Sequence, residues 1–435
     1  MNNACIEINN AVKKVFHDGR DWFFEKRFGL FIHWGLYAVN AWHEQEQFRK
    51  GLSRREYTHL IGKFNPAKFN PDNWLDIAEE AGMQYICFTA KHIDGFCMWD
   101  TKQTEYNITN TPYRKDILSM LAEACHRRNF PLCIYYSVPD MNCKYYPNQG
   151  RSYELTGPEQ GDEPDVAKYT EFVKAQINEL CTHYGKIHGF WWDANGHTIN
   201  VQDKSVNNLI RSLQPGIIIN NRGFDGGDFS TPERDFEDAA LNGTKFYGKP
   251  TEACEAIGAE SWGFRSNEDY FSVGALTRNI SRHMAKGANY LLNVGPQADG
   301  TFPAETVRIL AEIGQWYRHV KEAFEQMDSL PLSADNDNVL LRRKGDALYV
   351  YMLDAPRKSG IILKSLAIQP TKATVLNNGR ELKAGVEFMP TLWTDRKEYL
   401  HIWNIPVDEL ANEAIILKLE FDGALLDKLT QGQTV

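Results

Sequence analysis

From Phe28 to Phe324 short apolar runs alternate with longer amphipathic stretches. The runs are Phe28–Gly35, with His33 near its end; Tyr85–Ala90, leading into Lys91-His92-Ile93-Asp94-Gly95; Leu132–Ser137; Ile187–Trp192, leading into Asp193; Ile217–Arg222; Lys249–Ile257, which reads as a shorter strand; and Asn289–Pro296. They are mostly apolar along their length, as in strands of a parallel sheet buried on both faces. Between them, Asn73–Ala81 carries Trp74, Ile77 and Ala78 on one helical face, and helices are predicted over Asp116–Arg128, Val166–Tyr184, 205–213, Val273–Lys286 and 305–324. Strands alternating with helices imply parallel βαβ units. Seven or eight of them close most economically as a (β/α)8-type TIM barrel, with a doubly wound open sheet as the alternative. The polar, Gly- and Pro-containing stretch Asp140–Pro164 interrupts the alternation and reads as a long surface loop or lid.

Past Leu330 the texture changes to short strands with period-two alternation: Val339–Arg342, Ala347–Tyr351 and Ala414–Leu419. The expected organisation is a catalytic (β/α)8-like barrel over residues 1–330 and a C-terminal antiparallel β-sandwich over 331–435, the latter a structural cap.

Composition narrows the partners. The 435 residues carry a formal net charge of -9 and no long basic run, so neither nucleic acid nor an anionic membrane is expected. No apolar segment is long enough to span a bilayer. The N-terminus has no apolar signal core, and the eight cysteines form no CxxC pair. Cys87, Cys97 and Cys133 lie in or beside apolar runs and read as reduced and buried. A cytoplasmic setting fits; a periplasmic or secreted chain whose leader has been cut would read the same. A homo-oligomer is left open.

Candidate chemistry gathers at the strand ends. His33, His92, Tyr136, Asp193, Arg222 and Glu252 each fall at or just past the end of a predicted strand. In a barrel those ends share one rim, where catalytic groups collect. Asp193 follows a strand with no cheap place for a charge, since a desolvated carboxylate without partners is costly; it caps a turn or serves a site. Zinc hydrolysis could use His33 and His92, but there is no HxH or HExxH pattern. A Ser-His-Asp triad lacks the GxSxG elbow. Glycoside hydrolysis needs two carboxylates, aromatic walls and neutral groups for hydroxyls; these residues, in a chain with 11 Trp, 19 Tyr and 23 Phe, suit it best. No metal ion and no cofactor is expected.

Several segments resemble the α-L-fucosidases of glycoside hydrolase family 29. Phe28-Gly29-Leu30-Phe31-Ile32-His33-Trp34-Gly35-Leu36-Tyr37 matches their opening motif, Ala90-Lys91-His92-Ile93-Asp94-Gly95-Phe96 resembles AKHHDGF, and Leu291–Pro296 matches LLNVGP. Ser230-Thr231-Pro232-Glu233 and Ser261-Trp262-Gly263-Phe264 also resemble family segments. The similarity runs from about Phe24 to Tyr317, and the family's β-sandwich fits the remainder. The resemblance implies a retaining exo-glycosidase acting on terminal α-L-fucosides of oligosaccharides or glycoconjugates through a covalent glycosyl-enzyme. It assigns the nucleophile to Asp193 and the acid/base to Glu252, in a segment similar to WETC, with Glu255 and Glu260 as competitors; in a strand Glu255 points opposite to Glu252. The two carboxyls of a retaining pair lie roughly 5 to 5.5 Å apart. His33, Glu44, His92, Tyr136 and Arg222 fall at positions the family uses around the sugar, and Trp42, Trp191 and Trp262 would pack on its apolar face.

The chain departs from that pattern in places. Ile93 stands where a second histidine is usual, Gln45 follows Glu44 where Trp is common, Thr251 precedes Glu252 in place of Trp, and Val320–Phe324 replaces an Asn-Gly-Glu-Ala pattern. A lost donor removes about 1 to 3 kcal/mol if its partner stays unpaired. Two other readings therefore stand beside the fucosidase: a relative with altered glycone preference, such as an α-L-galactoside, or a catalytically weak fucose-binding protein. Polar residues of the Asp140–Pro164 loop are candidates for contacting the aglycone.

Overall fold

The structure is a computed structural model that describes residues 16–193, 203–234, 246–325, 327, 331–332, 338–363, 366–388 and 397–422. Seven parallel strands form its first sheet: β1 Phe28–Ile32, β2 Ile86–Lys91, β3 Leu132–Ser137, β4 Gly189–Asp193, β5 Ile218–Ile219, β6 Glu252–Ala256 and β7 Asn289–Val294. Their order is β5-β4-β3-β2-β1-β7-β6, so the sheet curls round in chain order and leaves β5 and β6 as its two edges. The segment from Phe229 to Arg234 bridges those edges. Phe229 pairs with Asn220 just past β5, while Ser230 pairs with Thr251 just before β6 and Glu233 with Cys254 of β6. Glu252 N–H donates to Ser230 O at 2.8 Å and Cys254 N–H to Pro232 O at 2.9 Å. An irregular eighth strand thus completes the barrel, with Pro232, which has no N–H to give, tolerated between the bridged residues Ser230 and Glu233.

The helices begin where their caps dictate. Asn70, Asp116, Asp165, Asp203 and Ser272 each accept a backbone N–H of the following first turn, and Pro71 occupies the first position of its helix. The predicted helices are found at Pro71–Glu80, Ile117–Arg127, Val166–His183, Lys204–Leu213, Val273–Ala285 and Ala304–Val320. None of the described helices is long and apolar enough to cross a membrane.

Strand parity divides the apolar side chains into two sets. Leu30, Ile86, Ile134, Tyr136, Phe190, Trp192 and Leu292 face outward under the helices. Phe31, Cys87, Cys133, Tyr135, Trp191, Cys254 and Leu291 fill the barrel interior. Gly29 is required there, because a Cβ on it would run into the ring of Tyr85.

The C-terminal region holds a five-stranded antiparallel sheet, with β8 Pro331–Leu332, β9 Val339–Lys344, β10 Ala347–Met352, β12 Lys372–Val375 and β15 Ile416–Glu420, and a three-stranded one, with β11 Ile361–Leu363, β13 Lys383–Phe388 and β14 Glu398–Trp403. Alternation along β10 shows how they pack. Leu348, Val350 and Met352 enter a core shared with Leu363, Leu400 and Ile402 of the smaller sheet, whereas Ala347, Tyr349 and Tyr351 join the core of the barrel helices. Polar contacts pin the same face: Trp316 Nε1 donates to Ala414 O at 2.9 Å, and Ala414 N–H to Thr277 Oγ1 at 3.0 Å.

Candidate active site

At the C-terminal ends of the strands a cavity of about 300 Å³ opens, at the small end of ligand sites and suited to one ring rather than a polymer. Phe31, Trp191 and Cys254 belong to its wall, as do His33, Glu44, His92, Asp193, Arg222, Glu233 and Trp262.

Asp193 ends β4, where Tyr135 and Arg222 hold it. The Tyr135 hydroxyl donates to Asp193 Oδ2 at 2.6 Å, and Arg222 Nη1 donates to Oδ1 at 3.1 Å. Arg222 Nη2 contacts Glu233 Oε2 at 2.5 Å, so one guanidinium clasps both carboxylates. Arg222 is itself oriented by Thr231, whose Oγ1 accepts from Nε at 2.7 Å and whose carbonyl accepts from Nη2 at 3.0 Å. Its charged carbon lies 4.9 Å from the centre of the Trp191 ring, a cation–π contact. Trp191 in turn stacks on Tyr135 with centroids 5.6 Å apart.

The neutral groups lie deeper. Burial holds both His33 and His92 down at about 4, so both rings are uncharged at neutral pH. Asn293 Nδ2 donates to Trp262 O at 2.7 Å, which leaves Asn293 Oδ1 to face His33 Nδ1 at 2.7 Å. An acceptor there assigns the ring proton to Nδ1 and leaves Nε2 as an acceptor. Glu44 Oε2 accepts from Ser261 Oγ at 2.7 Å and from Trp262 N–H at 2.9 Å, which ties the loop after β1 to the segment carrying Trp262. Among the described residues no group of three His, Cys, Asp or Glu side chains is placed to hold a metal ion.

Of the residues picked from sequence, His33, Glu44, His92, Trp191, Asp193, Arg222 and Trp262 come together on this cavity. Three do not. Tyr136 points outward, its hydroxyl donating to Gln176 Oε1 at 2.5 Å; parity hands the site to Tyr135 instead. Trp42 lies outside the lining, with Lys50 Nζ 4.2 Å from its ring centre. Glu252 is the first residue of β6 rather than the last, so it enters the barrel from the opposite end. There its Oε2 accepts from Tyr85 OH at 2.5 Å and its Oε1 from Trp191 Nε1 at 3.0 Å. The void beside it measures about 10 Å³, room for one water at most and none for a glycoside. Burial raises the Glu252 carboxyl to about 7. Cys254, two residues on, reaches the cavity in its place.

Sequence reasoning left out Tyr135, Tyr153 and, as a functional group, Glu233. The Ser230–Glu233 segment did stand out by its resemblance to a family segment, which is the signal that could have found Glu233; its proline masked the strand character that brings it to the rim.

Known proteins agree with this architecture. Residues 7–322 match the family described as alpha-L-fucosidase. The tissue alpha-L-fucosidase of Bos taurus is 26% identical over 399 residues, covering 83% of this chain and 81% of that protein, and the alpha-L-fucosidase of Dictyostelium discoideum is 25% identical over 404 residues, covering 84% of each. Among solved structures, alpha-L-fucosidase isoenzyme 1 from Paenibacillus thiaminolyticus superposes with a TM-score of 0.79 at 29% identity, covering 93% of this chain and 100% of that one. A family 29 alpha-L-fucosidase from Bacteroides thetaiotaomicron, trapped as a covalent intermediate with 2-fluoro-fucosyl fluoride in a Glu-to-Gln variant, superposes with a TM-score of 0.76 at 25% identity, covering 95% and 99%. The chain belongs to the α-L-fucosidase family, glycoside hydrolase family 29.

Proposed function

We propose that this protein is a retaining α-L-fucosidase in which Asp193 is the nucleophile and Glu233, in place of the expected Glu252, is the acid/base. The observation that carries the reading is the pair of carboxylates on one cavity wall, joined by Arg222 at 3.1 and 2.5 Å. In the first step an Asp193 oxygen attacks the anomeric carbon while Glu233 gives its proton to the leaving oxygen, so the glycosidic bond breaks as the glycosyl ester forms. In the second, Glu233 takes a proton from water, whose oxygen displaces Asp193 and returns the sugar with its original anomeric configuration. A protonated Glu233 is no longer an ion-pair partner, so Arg222 then serves Asp193 alone. Tyr135 donates to that same carboxylate and keeps the attacking oxygen aimed. His33 Nε2 is free to accept from a sugar hydroxyl, and Phe31, Trp191 and Trp262 offer surface for the C–H face and the C5 methyl.

Every residue in these roles precedes residue 265, which supports taking the barrel, up to about residue 330, as the catalytic unit and the β-sandwich as its cap. A different glycone remains the second reading because Gln45 and Ile93, two positions that depart from the family pattern, both line the cavity.

The test is hydrolysis of an aryl α-L-fucoside by the wild type, Asp193→Ala, Glu233→Ala and Glu252→Ala, with and without azide. Collapse in Asp193→Ala with partial return in azide supports the nucleophile. Wild-type inactivity on the fucoside with turnover of an aryl α-L-galactoside keeps the mechanism and changes the glycone. No turnover of either, with fucose still bound, refutes the enzymatic reading.

A further inference from the structure

Resting on the glycosidase reading, we propose that Tyr153, backed by Phe48, is an aromatic platform for the leaving group and receives the pyranose ring attached to the oxygen that Glu233 protonates.

Tyr153 belongs to the Asp140–Pro164 insertion and lines the same cavity as Asp193 and Glu233. It sits at the mouth. His33, Glu44 and His92 are at most 6% exposed, whereas Tyr153 is 36% exposed, one of the few large hydrophobic side chains so open among the described residues. Burial first, and then the Asp193 and Glu233 carboxylates, raise its phenol above the usual range, which agrees with its place beside the reacting pair. Its ring packs on Phe48 with centroids 5.7 Å apart. Its backbone φ of 68° lies in the left-handed region, which a bulky side chain rarely adopts and which clusters at functional sites.

The insertion is built to hold that conformation. Next in sequence, buried Glu154 accepts from Tyr146 OH at 3.0 Å, Gln149 N–H at 2.9 Å and Arg151 Nε at 3.0 Å. Asn148 Oδ1 accepts from Leu155 N–H at 3.0 Å. The base of the insertion is fastened at Asp140, which accepts from the buried Lys91 Nζ at 2.8 Å. Underneath, Ile93, Met141 and Leu155 form a separate buried apolar cluster with Phe48 against it, and Met141 N–H donates to Ile93 O at 2.9 Å. Ile93, the position where the family usually carries a second histidine, is the keel of this cluster. An imidazole there would bring polar nitrogens into an apolar contact. Ile93 thus borders the cavity and backs the insertion at once.

The cavity of about 300 Å³ has room for one sugar ring, so with the glycone beside Asp193 the leaving group, joined through the oxygen facing Glu233, extends toward the open end. A flat aromatic face at that end is what the C–H face of a pyranose stacks upon.

The experiment compares kcat/KM on α-L-fucosyl fluoride, which has no leaving sugar, with kcat/KM on fucosyl disaccharides of different linkage, for wild type, Tyr153→Ala and Tyr153→Phe, with thermal unfolding to check the fold. The ratio of the best disaccharide to the fluoride is expected to fall about three- to tenfold in Tyr153→Ala, mainly through KM, and to stay within about twofold of wild type in Tyr153→Phe, which keeps the ring. An unchanged ratio in Tyr153→Ala, an equal loss in both variants, or wild-type turnover of the fluoride but of no disaccharide overturns the platform. Wild-type inactivity on both α-L-fucosyl and α-L-galactosyl fluoride overturns the glycosidase reading itself, so the two failures are told apart.

Discussion

Glu252 separates two accounts of this barrel more sharply than any other residue. If it were the acid/base, Glu252→Gln would keep the fold and lower turnover of a fucoside with a poor leaving group by about 10² to 10⁴. The geometry leads to another outcome. The carboxyl satisfies two buried donors, Tyr85 OH at 2.5 Å and Trp191 Nε1 at 3.0 Å. Glu252→Gln retains a carbonyl oxygen for Trp191 and turns an NH2 toward the Tyr85 oxygen, which can accept it, so turnover should stay within about fivefold. Glu252→Ala leaves both donors unpaired, at about 1 to 3 kcal/mol each, and opens a hole besides. Destabilisation by about 3 to 6 kcal/mol is expected in urea unfolding, with activity lost as the Trp191 indole loses its fixed orientation under Arg222.

The same carboxyl carries a pH signature. Its ordinary value of 4.5 is raised by burial to about 7. Below 4.5 it is neutral in the folded and unfolded chain alike and costs nothing. Between 4.5 and 7 the folded chain keeps a proton that the unfolded chain gives up, so stability falls as pH rises, by about 1.4 kcal/mol per unit and about 3 kcal/mol in all by pH 7 and above. Glu252→Gln removes that slope. Urea midpoints of wild type and Glu252→Gln measured from pH 4.5 to 8 should diverge, with the variant gaining relative to wild type as pH rises. Parallel curves, together with a Glu252→Gln enzyme that folds normally but turns over a thousandfold more slowly, would return the acid/base role to Glu252.

Glu233→Ala should lose about 10² to 10⁴ in kcat/KM, which reports the first step, on aryl fucosides with poor leaving groups and far less on fucosyl fluoride, which needs no proton; equal losses in kcat/KM on both would assign Glu233 to binding. Tyr135→Phe deletes a 2.6 Å hydrogen bond to a carboxylate, a contact of about 1.5 to 3 kcal/mol, so kcat should drop about 10- to 100-fold while Tyr136→Phe stays near wild type. His33 and His92 are held near 4 by burial: as pH falls from 6.5 the unfolded chain takes up protons that the folded rings refuse until about 4, so stability should decline through that window. Replacing His33 by Asn should make the decline shallower in acid unfolding curves.

How far the sequence could be read follows from what each signal measures. Apolar runs report burial on both faces, and all seven barrel strands were legible that way, as were helices whose caps are Asn, Asp or Ser. The rule that function gathers at strand C-termini led to His33, His92, Asp193 and Arg222, which the structure brings to one cavity. It did not say which of two neighbouring residues faces in, and a slip of one position exchanged Tyr135 for Tyr136. It also needed the strand's true start. In the run Lys249–Ile257 Glu252 is only the fourth of nine residues, and with pairing that starts at Glu252 it lies at the end of the barrel away from the rim. Tyr153 had no periodic signal at all, since a left-handed residue in a loop tip depends on contacts with Phe48 and the buried Glu154 that are distant or irregular in sequence.

The irregular eighth strand explains why one arginine can organise the chemistry. Asn220 pairs with Phe229 and Glu233 with Cys254, so the segment leaves the β5 side of the barrel and ends on the β6 side, crossing the rim as it goes. Thr231, at the crossing, binds Arg222 through both its hydroxyl and its carbonyl. The guanidinium is thereby fixed to the same short piece of backbone that presents Glu233, while its other arm reaches Asp193 on β4. A regular strand, with every second residue inward, would put Thr231 and Glu233 at successive layers of the barrel interior. By pairing only through isolated bridges the segment lets both reach one guanidinium, and the separation of the two carboxylates is set by the width of a single side chain.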